Sequence, residues 1–152
     1  MKFTRENVFL NVDSKDKEEL LRFISSQAQK INLTNDSEKL LESFEQREQE
    51  YSTGLQDGFA IPHAKSDVVN NVGIIYVRLS NPIAWKTYDD KPVIDVFALM
   101  VPTENAGTTH LKMLANLSTA LLEDDFKVEL RKKDNEKDIA NYISEKIGAK
   151  EL

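Results

Sequence analysis

The sequence predicts an α/β fold, a β-sheet layered with helices, and three observations carry that expectation. Val93-Ile94-Asp95-Val96-Phe97-Ala98-Leu99-Met100-Val101 is the most apolar run in the chain, of a length and composition that suit a central strand buried on both faces. Gly73-Ile74-Ile75-Tyr76-Val77-Arg78-Leu79 is rich in β-branched and aromatic residues, as a second strand would be. Around both lie segments whose apolar residues recur at three-and-four spacing, the period of an amphipathic helix. At 152 residues the chain is long enough for one domain with a proper core and too short for two of ordinary size.

Taken in order, the chain opens with Phe3, Val8, Phe9, Leu10 and Val12, too irregular a pattern for more than a short extended lead-in. Asp13 and Ser14 offer capping oxygens ahead of a helix whose Leu20, Leu21, Phe23, Ile24, Ala28 and Ile31 form its apolar side. Residues 32–35 break it, and Asp36-Ser37 opens a second helix with Leu40, Leu41 and Phe44 toward the core. That helix ends in Glu45-Gln46-Arg47-Glu48-Gln49-Glu50, a charge run of the kind that usually forms a solvated face. Turn-forming residues bracket Leu55, and Phe59-Ala60-Ile61 reads as a short strand that halts at Pro62. The strand from Gly73 closes at Asn81-Pro82, Ile83-Ala84-Trp85 reads as a short edge strand, and Pro102 ends the apolar run. Thr108 or Thr109 caps a helix with a stripe of Leu111, Leu114, Leu117, Ala120 and Leu121. Glu123-Asp124-Asp125 starts another, with Phe126, Val128 and Leu130. Asp134 or Asn135 opens a last one, with Ile139, Tyr142, Ile143 and Ile147, which Gly148 stops.

Composition narrows the function. A formal net charge of -6 argues against binding nucleic acid by general phosphate attraction, which wants a basic face. Without cysteine there is no disulfide, no thiolate nucleophile and no cysteine-based metal site. The first residues lack the apolar core of a signal peptide, and no run approaches the roughly 20 apolar residues that span a bilayer, so the reading is a soluble, cytoplasmic protein. No three-ligand metal spacing, Gly-x-Gly-x-x-Gly or Walker loop is present, so neither a metal nor a nucleotide or other cofactor is expected.

The chain has two histidines, both at element junctions, where a rigid backbone holds side chains at an open surface. Most lone histidines are exposed polar residues or satisfied core donors, so position alone makes neither catalytic. His63 follows Pro62 at the end of a strand, and its imidazole, with an unperturbed pKa of roughly 6.5, suits a nucleophile near neutrality. His110 falls in the first turn of the helix after the central strand, where unpaired amides favour an anion. The hydroxyls of Thr108 and Thr109 are candidate phosphate contacts there, or caps alone. Arg47 carries a planar guanidinium suited to bidentate recognition of phosphate, and Lys65 adds a second cation. If the strands before the two histidines run parallel, both imidazoles reach the same rim of the sheet, where open α/β sheets gather ligands. A histidine nucleophile with an arginine, hydroxyls and helix amides around it fits phosphoryl transfer, and with nothing to hold a nucleotide the group would come from a protein donor.

Gly-Phe-Ala-Ile-Pro-His-Ala at 58–64, Arg47 with Ser52-Thr53-Gly54 upstream, and Ala106 to Leu117 with its His-Leu-Lys-Met-Leu core are together similar to the IIA component of the fructose-mannitol family of the bacterial sugar phosphotransferase system. The similarity covers about residues 5–147. It implies one IIA domain over 1–152, built as a mixed β-sheet flanked by helices on both faces. It also implies a phosphotransferase in which His63 accepts phosphate from the phosphohistidine of the carrier protein HPr. The group then passes to a cysteine of a IIB component, which phosphorylates sugar during uptake through the IIC membrane permease. By position, His110 becomes the second active-site histidine, orienting or polarising the phosphoryl group, and Arg47 a stabiliser of its charge. Nitrogen-related relatives offer a second reading, in which phosphorylation of His63 controls binding to a partner and no sugar is phosphorylated. Gln56 and Phe59 depart from the family pattern in the approach to the motif, which bears on partner fit, and the apolar surface around Leu55 and Phe59 is the expected docking face. The absence of cysteine fits a IIA unit without a fused IIB domain.

Overall fold

In the computed structural model, which describes residues 2–104 and 108–149, a 3-10 turn at Arg5–Asn7 leads into strand β1 (Val8–Val12). Helices α1 (Lys17–Lys30) and α2 (Ser37–Glu50) follow, then strands β2 (Phe59–Ala60), β3 (His63–Lys65), β4 (Gly73–Ile83) and β5 (Val93–Val101). Helices α3 (Thr108–Ala120), α4 (Asp124–Lys132) and α5 (Glu136–Ile147) complete the order. The strands form one sheet in the order β1-β4-β5-β2, with β3 also pairing β5. Among the described strands β4 and β5 pair antiparallel, β1 runs parallel to β4, and β2 and β3 run parallel to β5. The sheet is therefore mixed, and β5 is interior to it, as its unbroken apolar run requires.

Alternation along β5 sorts the core into two layers. Val96, Ala98 and Met100 point to a cluster with Leu20, Leu21 and Ile24 of α1 and Leu40, Leu41 and Phe44 of α2. Phe97 and Leu99 point the other way, to Tyr76 and to Leu117, Phe126, Leu130, Ile139 and Ile143 of α3, α4 and α5. Helices thus cover both faces. Their ends carry the expected chemistry: Asp36 accepts from the Lys39 amide at 3.1 Å, Asn135 accepts from the Asp138 amide at 2.9 Å, and Gly148 closes α5 at φ 78°. For α1 the cap is Asp16, which accepts from the Glu19 amide at 2.9 Å, and not Asp13 or Ser14.

Two prolines do less to the sheet than the sequence suggests. Pro62 does not finish its strand: β3 resumes at His63 along the same neighbour, with the Leu99 amide donating to the Pro62 carbonyl at 2.9 Å. The missing amide hydrogen shows as a break in the ladder between Ala60 and His63, which keep one register against β5. Pro82 likewise lies within β4, at a register irregularity between Arg78 and Ile83, so Ile83 ends β4 opposite Val93 and the expected separate strand at Ile83-Ala84-Trp85 does not exist. Leu111 and Val128, assigned to apolar stripes by spacing, are exposed, whereas Met113 and the stem of Lys127 are buried.

Phe59 is buried as well, stacked on Phe97 with ring centroids 6.4 Å apart and with the Arg131 guanidinium over its ring at 4.6 Å. It is a core residue and not part of a docking face. Arg131 belongs to a buried polar network around Asp95, which has no exposed surface. The Asp95 carboxylate accepts from the Tyr76 hydroxyl and from Arg131 Nε at 2.8 Å, and Arg78 Nε stands 3.6 Å away. Burial first, and then the Asp95 charge, raise the Tyr76 hydroxyl well above its ordinary 10.0, so it remains a donor. Arg78 also donates to the Leu130 and Lys133 carbonyls at the end of α4, at 2.9 and 2.7 Å. Removing the carboxylate would leave two guanidinium groups facing each other across an apolar layer. Asp95→Ala is expected to destabilise the fold by roughly 3–5 kcal/mol, read as a lowered urea midpoint with an unchanged slope.

Candidate functional site

The last turn of α2 supplies the first half of the site. Glu48 lies four residues after Phe44 and seven after Leu41, on the buried side of the helix, so its carboxylate is drawn inward. It accepts from the Thr53 hydroxyl, from the Thr53 amide at 3.2 Å and from Lys17 Nζ at 3.3 Å. Three donors compensate for a side chain that is only 4% exposed. The carboxylate ties α2 to the loop at Thr53, whose carbonyl accepts from the Ile61 amide at 3.0 Å. Ile61 precedes Pro62 and His63, so the catalytic candidate is referred to α2 through one short chain of hydrogen bonds. Gly54 is required beside that clasp because a Cβ there would press on the Lys86 carbonyl, Thr87 Cγ2 and Trp85 Cδ1.

The pairing of His63 with Leu99 turns both side chains to the face covered by α3, α4 and α5, while α2 packs along β3. Between them lies an open recess of about 530 Å³, lined by Ser43, Gln46, Arg47 and Glu50 of α2 and by His63, Ala64, Lys65, Leu99 and Val101 of the sheet. His63 and Arg47 are thus brought together, and Lys65 joins them. His63 Nδ1 is buried and completes no hydrogen bond of normal geometry. Burial lowers the pKa of the ring from its ordinary 6.5, and the Arg47 charge lowers it further. The Ile61 carbonyl and the Glu48 carboxylate oppose those effects without reversing them. The imidazole is therefore neutral at pH 7, as a nucleophile must be. Arg47 donates through Nη1 to the Tyr51 carbonyl at 3.1 Å and stacks on the Tyr51 ring, 4.4 Å from its centroid.

His110, the third residue of α3, lines a different recess, of about 440 Å³, with Asn7, Leu33, Asn71 and Val72 among its walls. The two recesses are at the same end of the sheet, since Gly73 of β4 pairs Met100 and His63 pairs Leu99. The structure does not place the two imidazoles in one cavity. The side chains of Thr108 and Thr109 lie outside the described residues. Sequence reading passed over Glu48, although its spacing from Leu41 and Phe44 carried the signal.

Comparison with known proteins bears on what this site does. Residues 1–146 match the family model for the phosphoenolpyruvate-dependent sugar phosphotransferase system, EIIA 2. Among curated proteins the chain is 32% identical over 142 residues to the PTS system fructose-specific EIIABC component of Bacillus subtilis, covering 93% of this chain and 22% of that protein. It is 32% identical over 146 residues to the nitrogen regulatory protein of Shigella flexneri, covering 95% of this chain and 88% of that one. The chain therefore spans about a fifth of the first relative and most of the second. Among solved structures, the nitrogen regulatory protein IIA-Ntr of Neisseria meningitidis superposes with a TM-score of 0.82 at 24% identity, over 91% of this chain and 94% of that one. The Escherichia coli complex of enzyme IIAMTL with phosphorylated enzyme IIBMTL superposes with a TM-score of 0.71 at 22% identity, over 98% and 99%. Among the described residues no helix is long and apolar enough to cross a membrane.

The electrostatics of His63 can be read directly. Its titration followed by NMR should give a midpoint below 6.5, rising in Arg47→Ala and falling in Glu48→Gln. Because the unfolded chain takes up this proton first, the contribution of His63 makes stability rise with pH up to about 6.5 and level off above it; acidification through that window erodes it.

Proposed function

We propose that this chain, which belongs to the EIIA 2 family of the phosphoenolpyruvate-dependent sugar phosphotransferase system, is a cytoplasmic phosphocarrier that takes a phosphoryl group onto His63 from phospho-HPr and passes it to a cysteine of a IIB component. The observation that carries the reading is the pairing of a neutral, half-buried imidazole with an arginine on the wall of one open recess. Since Nδ1 is buried, Nε2 is the nitrogen that attacks. With Nδ1 buried, the neutral ring attacks in the tautomer that keeps its proton on Nδ1 and leaves the Nε2 lone pair free. As the new Nε2–P bond forms, the N–P bond of the donor histidine breaks and its electron pair returns to that nitrogen. Nδ1 keeps its proton, and the ring charge that develops is met by the Ile61 carbonyl and by Glu48, while Arg47 and Lys65 meet the equatorial oxygens. Transfer to a IIB thiolate runs the same displacement outward. Support for that acceptor comes from the solved complex of a similar IIA with a phosphorylated IIB.

A second reading, phosphorylation-dependent control of a partner, is favoured by the 32% identity to a nitrogen regulatory protein over nearly the whole of both chains. Incubation with phosphoenolpyruvate and the general phosphotransferase proteins, followed by mass measurement, separates the possibilities. One phosphate on wild type and none on His63→Ala supports the carrier, and equal uptake by both overturns it. Onward transfer to an added IIB cysteine selects the relay, and its absence with every IIB tried selects the regulator. His110→Ala is the further arm: slower transfer with unchanged folding assigns that imidazole to the reaction, and an unchanged rate leaves it outside.

A further inference from the structure

We infer that Tyr51 is a positioning residue that docks the Arg47 guanidinium beside His63 before any phosphoryl group arrives. The inference rests on the phosphocarrier reading for its consequence in transfer and on local geometry for its substance. Tyr51 is the C-cap of α2, with φ -167° and ψ 155°, so the chain leaves the helix one residue after Glu50 in an extended conformation. Its carbonyl accepts from Arg47 Nη1 at 3.1 Å and its ring holds the guanidinium carbon 4.4 Å from the centroid. Two contacts from one residue thus fix the arginine, one to the backbone and one to the face of the ring.

Packing does not account for the ring, since Tyr51 is 68% exposed, the third most exposed large hydrophobic among the described residues. Nor does another partner hold Arg47: among the described residues no carboxylate stands within ion-pair distance of it. That combination is what an anion site needs. An ion pair would neutralise the guanidinium, and a free side chain would have to be ordered on each binding event. A stacked arginine keeps its charge and most of its donors while losing its mobility in advance. The charged groups around His63 are Arg47, Glu48 and Glu50 of α2 and Lys65 of β3, and among them Arg47 is the one whose place depends on Tyr51.

Tyr51→Ala keeps the backbone carbonyl and removes the stack. The measurement is the His63 titration midpoint by NMR in wild type, Tyr51→Ala, Tyr51→Phe and Arg47→Ala, with the transfer rate from phospho-HPr alongside. Tyr51→Ala should move the midpoint upward, toward that of Arg47→Ala, and slow transfer roughly two- to fivefold, the factor an exposed cation–π contact supports. Tyr51→Phe, which keeps the ring, should restore both. Combining Tyr51→Ala with Arg47→Ala should add nothing to Arg47→Ala alone. An unmoved midpoint in Tyr51→Ala, or a further loss in the double variant, overturns the assignment. Failure of wild type to take up phosphate would instead overturn the phosphocarrier reading, with the titration still deciding the role of Tyr51.

Discussion

The nine residues of β5 hold backbone partners on both sides, and the registers of those ladders decide what reaches the end of the sheet. On one side β4 runs antiparallel and delivers Gly73 opposite Met100. On the other, β2 and β3 run parallel and are interrupted at Ile61-Pro62, so that His63 re-enters the ladder opposite Leu99. The register is the same on both sides of the break, so strand alternation aims the imidazole. The loop at residues 53–55 pairs the far edge of this strand, and the residue after the proline is held by its pairing with β5 while its ring looks into the recess. The histidine is thereby fixed more firmly than it would be on a loop.

Local charges then set the state of that ring. Burial and Arg47 press it toward neutrality, while Glu48 and the Ile61 carbonyl press the other way. On the proposed phosphocarrier reading the opposing pair suits both stages: attack needs an unprotonated nitrogen, and a phosphorylated ring would carry positive charge that an acceptor carbonyl and a buried carboxylate can meet. Glu48 contributes mechanically as well as electrostatically. Its hydrogen bonds to Thr53 join the helix that carries Arg47 to the loop that positions Ile61, so the distance between guanidinium and imidazole is not left to two independent elements.

Much of this could be read in the residues before any coordinates. Every helix appears where the three-and-four spacing predicts it, and β5 is interior because its run is apolar without alternation. The misreadings share a cause, which is that local chemistry was allowed to outrank tertiary context. Pro62 and Pro82 read locally as terminators, yet the first sits at a break between β2 and β3 that keeps one register and the second at a register irregularity within β4. Phe59, expected on the docking face for its place beside the histidine motif, is buried against Phe97 and the Arg131 guanidinium of α4. Glu48 was hidden in a charge run, and Lys127, buried against Asp57 at 2.7 Å, was hidden in another. For the site, the sequence pointed to Arg47 and His63 together; the partition of His110 into a neighbouring recess depends on where α3 packs, which no spacing encodes.

Asp95 has a consequence for how the chain avoids folding wrongly. It sits on the α4 side of β5, where Tyr76, Arg78 and Arg131 receive it. Slipping β5 by one position would turn every side chain of the strand over and drive that carboxylate among Val77, Leu79 and Ala60, away from the Arg78 and Arg131 guanidinium groups. A carboxylate stranded in hydrocarbon makes the shifted alignment costly.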